Sequence, residues 1–170
     1  MSGKFVETKP EEVNDNVFRL VGTDWMLVTA GTLNSWNTMT ASWGAFGNLW
    51  MKNIAICFIR PSRRTYEFLE SAKFFTLSFF DRKYRSILDY CGSHSGRDVD
   101  KAKETGLIPV SLMEGTVHFE QARLVFICRK IYHQDIDSSR FIDPEIFSFY
   151  PEGDYHRMYL GELVKVFRKS

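Results

Sequence analysis

Seven short runs rich in Val, Ile, Thr and aromatic residues constrain this chain most: 18–21, 25–30, 36–43, 53–59, 74–80, 122–132 and 155–168. Each is bounded by Gly, Pro, Asn or Asp, the pattern of β-strands separated by turns. Several are apolar at successive positions, so both faces need cover, as in a closed or packed sheet. Three helices fit between them. Residues 63–70 follow a Ser62 N-cap, 82–91 stop at Gly92, and 99–105 run from an Asp98 cap to Gly106, with Leu107 as its apolar contact. Residues 1–16 are polar and read as an N-terminal arm. With 170 residues and neither repeat nor linker, the expectation is a single domain over 1–170. Its fold class is mainly β: a barrel with a few helices packed outside.

Charge sharpens the reading. Lys and Arg number 22 against 21 Asp and Glu, a net charge of +1, which disfavours a nucleic-acid partner. Between Arg60 and Lys103, however, ten basic residues face six acidic ones, and Arg60, Arg63 and Arg64 fall within five positions. No apolar run approaches the roughly 20 residues of a membrane helix. The odd cysteine count (Cys57, Cys91, Cys128) and the absence of a leader-like start lead to the expectation of a reducing, cytoplasmic setting.

The chemistry concentrates in three places. In Asn37-Thr38-Met39-Thr40-Ala41-Ser42-Trp43-Gly44, a period of two puts Thr38, Thr40 and Ser42 on one face and Met39, Ala41 and Trp43 on the other. Thr76 and Ser78 repeat this opposite Phe75, Leu77 and Phe79. Such hydroxyl rows fit either solvent or a polar heterocycle. Arg60-Pro61-Ser62-Arg63-Arg64-Thr65 opens a helix, where free N–H groups and the macrodipole attract phosphate. Arginine there opposes the dipole unless an anion offsets it. Cys91-Gly92-Ser93-His94-Ser95-Gly96-Arg97 is a loop of small donors that a ligand can approach closely. Cys91 and His94 have no second pair at ligand spacing, so no metal is expected. His156 lies at the end of an apolar stripe (Met158, Leu160, Val164, Val166) and reads either as an inert rim residue or as a donor to a ligand.

Taken in order, NTMTASWG (37–44), RPSRRTYEFLE (60–70), FTLSFF (75–80), CGSHSGRDVDKAKETGL (91–107) and DYHRMYLGEL (154–163) resemble the flavin reductase-like family of FMN-binding split barrels, particularly its flavoredoxin branch. The resemblance implies a six-stranded Greek-key barrel and a homodimer holding FMN near the subunit interface. It implies Asn37, Thr38, Met39, Thr40, Ala41, Ser42 and Trp43 beside the isoalloxazine, and Arg60, Ser62, Arg63, Arg64 and Thr65 at the phosphate and ribityl chain. Ser78, Phe79, Gly92, Ser93, His94, Ser95 and Gly96 would complete the surroundings. His156 matches the family's histidine before a Gly-Glu pair, implying a catalytic role. The function implied is hydride transfer from NAD(P)H to flavin. The alternatives are an electron carrier with stably bound FMN and a redox partner protein, or a non-enzymatic flavin module. Segment 134–150 fits no motif.

Overall fold

The computed structural model describes residues 3–170. Its strands are β1 (Phe5–Thr8), β2 (Met26–Thr32), β3 (Ser35–Ala41), β4 (Gly44–Leu49), β5 (Lys52–Ile59), β6 (Phe74–Phe79), β7 (Pro109–Val110), β8 (His118–Phe119), β9 (Leu124–Asp135) and β10 (Arg157–Lys169). The helices are α1 (Val17–Arg19), α2 (Arg64–Ser71), α3 (Arg85–Ser93) and α4 (Lys101–Thr105). The main sheet is antiparallel, ordered β3-β2-β6-β9-β10-β5-β4, with β1 on the far part of β10. Its first and last strands, β3 and β4, are joined by Ser42 and Trp43 alone. Two linking residues reach at most roughly 11 Å. The sheet must therefore curl until its ends meet, and a barrel with its seam at Ser42–Trp43 results.

Alternation along each strand then separates two cores. Phe75, Leu77 and Phe79 of β6 point into the barrel with Met26, Val28, Met39, Cys57, Phe126 and Tyr159. Leu27, Val125 and Ile127 point outward and are covered by Leu88 and Cys91 of α3, and by Leu107 and Phe119. Both faces are buried, which explains the apolar runs without strict alternation. Register shifts near Gly161 and Leu163 let the long β10 bend around the barrel. A Cβ at 161 would lie 2.7 Å from both the Cys128 Cβ and the Phe75 ring, so only glycine fits there.

Several expectations are corrected. Residues 18–21 are not a strand: Asn16 accepts from the Phe18 and Arg19 amides and starts α1, which continues into a π-turn over Leu20–Asp24. Instead of a loose arm, Phe5–Thr8 forms β1 against residues 166–169, while Met1 and Ser2 lie outside the described residues. Ser62 does not cap α2; Arg63 holds that position. Asp100, not Asp98, caps α4, and its carboxylate accepts from the Lys103 amide. Gly106 does close α4 in the left-handed region (φ 72). Seven strands lie on the barrel path instead of six, because Gly44–Leu49 pairs along β5.

His118 is sealed in the outer core with both ring nitrogens unpartnered among the described residues, and Phe5 lies edge-on at 5.2 Å. Desolvation lowers its pKa from 6.5 to about 4. The unfolded chain therefore takes up a proton below pH 6.5 that the folded state refuses. This stability is whole above pH 6.5 and falls as pH drops toward 4, by about 3 kcal/mol in all. We predict that His118→Leu loses about 2–3 kcal/mol less than wild type between pH 7 and pH 4.5, as read from urea unfolding.

Candidate functional site

Helix α2 begins just beyond the end of β5. Arg63, extended at the cap position, supplies no side-chain acceptor to the first-turn amides. The positive end of α2 therefore opens onto a cavity of about 120 Å³. Its lining is Asn37, Met39, Ser62, Arg63, Arg64, Thr65, Ser93, His94, Ser95, Gly96 and Lys101. Ten of these were expected from the sequence, drawn from three separate segments. Lys101 was not.

Lys101 is buried, and its Nζ donates to the carbonyls of Thr38 (2.8 Å) and Cys91 (2.7 Å). Burial, with the nearby Arg63 charge adding to it, lowers its pKa from 10.5 to about 8. The signal was available: a lysine in a helix's first turn opposes the macrodipole, as arginine does in α2. Arg63 donates to the Gly92 carbonyl (2.8 Å), and desolvation followed by the Arg60 charge lowers its pKa. Glu67 pairs with both Arg64 and Arg97, and Arg97 also reaches the Ser62 carbonyl (3.0 Å). The cavity is thus walled by cations that the protein only partly neutralises.

Asn37 ties β3 to α2. In the orientation that satisfies its neighbours, Oδ1 accepts from the Thr65 hydroxyl (2.7 Å) and from the Thr65 (3.2 Å) and Thr38 (3.3 Å) amides. Gly96 presses against the other end of this carboxamide so closely that a Cβ would sit 1.8 Å from the terminal atom, Nδ2 in this orientation.

Other expected residues lie elsewhere. The hydroxyl face of β3 turns toward the protein: Thr38 bonds Thr29 (2.8 Å) and the Val28 carbonyl, and Thr40 donates to the Leu88 carbonyl (2.5 Å). Thr76 donates to the Val117 carbonyl (2.5 Å), and the buried Ser78 hydroxyl has no partner among the described residues. Ala41 and Phe79 fill the barrel core. Gly92 packs on Thr40. Apart from the Ser78 hydroxyl, these side chains satisfy the fold's own hydrogen bonds and packing and leave the cavity. Arg60 leaves it too. Its guanidinium lies 4.9 Å over the Tyr150 ring and donates to the Phe149 (2.8 Å) and Asp154 (3.2 Å) carbonyls.

A second cluster stands at the barrel seam. His156 lies 4.9 Å from Trp43, ring to ring, and its Nδ1 is 2.7 Å from the Tyr150 hydroxyl. Trp43 also meets Phe149 edge-on at 5.5 Å. Burial, then Arg60, lowers the His156 pKa to about 4 against an opposing pull from Asp154, so the ring is neutral near pH 7. Segment 134–150, which matched no motif, supplies Phe149 and Tyr150. The Ser62 hydroxyl donates to the Asp154 carboxylate (2.5 Å), so residues 60–65 touch both cavity and aromatic cluster.

Cys57 and Cys91 are buried thiols pushed up to about 12 and about 11, which makes them poor nucleophiles. Among the described residues, no three His, Cys, Asp or Glu side chains gather as metal ligands, and no helix is long and apolar enough to cross a membrane.

The protein is a covered antiparallel split barrel with a cationic cavity at a helix N-terminus, near the barrel seam. The flavin reductase like domain matches residues 18–169, nearly the whole chain, and the chain belongs to that family. No match is found among curated proteins. Among solved structures it is similar to an FMN-binding protein from Thermus thermophilus (20% identity, TM-score 0.69, covering 95% of this chain and 79% of that one). It is similar to flavoredoxin of Desulfovibrio vulgaris (Miyazaki F) (20%, 0.68, 96% and 78%). It is also similar to a putative flavin reductase with split barrel domain from Shewanella frigidimarina (15%, 0.68, 95% and 79%). The expected fold class is the one found.

The Asn37–Gly96 contact makes a prediction. Gly96→Ala drives a methyl into the Asn37 carboxamide and costs about 1–3 kcal/mol in chemical denaturation. In an Asn37→Ala background the same change costs under about 0.5 kcal/mol, because the clashing group is gone.

Proposed function

We propose that this protein binds FMN with its terminal phosphate in the cavity at the start of α2, and that NADH or NADPH reduces the bound flavin. The observation that carries this reading is the cavity itself. The N-terminal end of α2, Arg63, Arg64 and the buried Lys101 converge on a volume suited to one phosphate. Arginine offers a planar fork to phosphate oxygens and Lys101 a point charge, while Ser93 and Ser95 add donors. When bound, FMN supplies the redox chemistry, and the protein contributes position and electrostatics. Trp43 and His156 at the seam bound the space for the ring and the hydride donor. A neutral His156 is suited to donate a hydrogen bond without repelling a cationic nicotinamide.

Exposed apolar side chains at the β4–β5 tip, Trp50 and the almost fully exposed Met51, support a homodimer. Buried, unpaired cysteines are in keeping with a cytoplasmic setting. The cavity has room for a terminal phosphate but not for an adenylate beside it, so FMN should bind more tightly than FAD.

Arg63→Ala should weaken FMN by about 1–3 kcal/mol and riboflavin far less, as read by fluorescence quenching. Equal losses would place Arg63 in the fold and not at the phosphate. The function itself is tested by anaerobic mixing of the FMN-loaded protein with each nicotinamide. Bleaching of the flavin band by at least one of them is the expected result. If neither bleaches it while dithionite does, the reductase reading fails and an electron carrier fed by a redox partner protein takes its place.

A further inference from the structure

Tyr150 belongs to the segment that carries no motif, yet its hydroxyl makes the one hydrogen bond that reaches the His156 ring among the described residues. Both residues are buried, at 6% and 8% exposure. The phenol has a single proton and, among the described residues, a single acceptor in reach, Nδ1 of His156. Were Nδ1 protonated, the Tyr150 oxygen would accept and its own O–H would be left buried without a partner, which costs about 1–3 kcal/mol. The phenol therefore donates, Nδ1 accepts, and the neutral ring carries its proton on Nε2. That atom has no partner among the described residues and is not among the sealed polar atoms. It is a donor available to a ligand.

The surroundings hold the pair in this state. Burial raises the Tyr150 pKa, and the Arg60 guanidinium over its ring opposes that rise while disfavouring an imidazolium nearby. Arg60 also fixes residues 149–154 through the Phe149 and Asp154 carbonyls, and Ser62 holds the Asp154 carboxylate. The charged and titratable groups facing the imidazole are Arg60 just beyond β5, and Asp154 and Tyr150 from the segment preceding β10, with Tyr155 packed behind Tyr150. Trp43 closes the seam side without charge.

We propose that Tyr150 is a positioning residue that holds His156 in the Nε2–H form, so that this N–H faces the flavin and its hydride donor. The proposal rests on the flavin-reductase reading for its role in turnover and on the hydrogen bond alone for the tautomer.

The test separates the two. Nitrogen-15 shifts of the imidazole, recorded on the FMN-loaded protein near pH 7, should show Nε2–H in wild type. In Tyr150→Phe the tautomers should mix and the His156 titration should move up toward 6.5. Flavin reduction in Tyr150→Phe should slow about three- to tenfold near pH 7 and become pH-dependent between 5 and 7, with FMN affinity within twofold of wild type. In a His156→Gln background, where the side-chain amide donates without a partner behind it, Tyr150→Phe should change the rate less than twofold. An Nδ1–H ring in wild type, or an unchanged tautomer in Tyr150→Phe, overturns the proposal. So does an equal slowing by Tyr150→Phe in both backgrounds, since that is a packing effect. If neither nicotinamide reduces wild type while the tautomer behaves as stated, the reductase reading fails and the hydrogen-bond assignment is upheld.

Discussion

The Ser42–Trp43 link holds the two ends of the sheet together, and most other features follow from that closure. A seven-strand path whose first and last members are joined by two residues has no open form available to it. Curling places one face of every strand in a common interior. The opposite faces of β2 and β9 are then covered by α3, Leu107 and β8. That outer layer brings the Ser93–Gly96 loop and Lys101 against the end of α2, which β5 delivers from the other side of the barrel. The cavity is formed where these pieces meet, and the seam lies beside His156.

Electrostatics gives the cavity its character. The folded chain spends hydrogen bonds to two backbone carbonyls to keep Lys101 in the interior, and it still leaves this ammonium easier to deprotonate than in water. Arg63 is desolvated beside it and feels the Arg60 charge. Clustered cations of this kind raise the energy of the folded protein until an anion enters. The cost is local and lies at the end of a helix whose dipole favours the same anion. The chain thus concentrates, at one point, positive charge that an anion would offset.

Much of this was legible in the sequence, for identifiable reasons. β3 and β6 are built from β-branched and aromatic residues, so local preference and tertiary structure agree. β4 was not visible, because Gly44, Gly47 and Asn48 have little strand preference and the strand exists through pairing with β5. Its turn places Trp50 and Met51 at positive φ, where Asn or Gly would have announced a hairpin. Residues 18–21 looked like a strand from composition, but the capping oxygen of Asn16 decided otherwise. Among the residues that line the cavity, Arg63 and Arg64 were readable as candidates because basic residues at a helix start are anomalous. Arg60 looked equivalent and is not, since Tyr150 and two carbonyls take its side chain. Such long-range pairings, like Tyr150 with His156, carry no local pattern.

The central claim is that a phosphate enters beside Lys101, and it is tested most directly by counting protons when FMN binds. Lys101 titrates near pH 8 in the free protein, and a neighbouring dianion favours its charged form. Calorimetric titration at pH 8 in buffers of different ionisation enthalpy should therefore show uptake of roughly half a proton per FMN. Riboflavin, lacking the phosphate, should bind with none, and FMN affinity should fall as pH rises from 8 to 9.5. Binding of FMN without proton uptake, or with the uptake that riboflavin shows, would contradict the account and place the phosphate elsewhere.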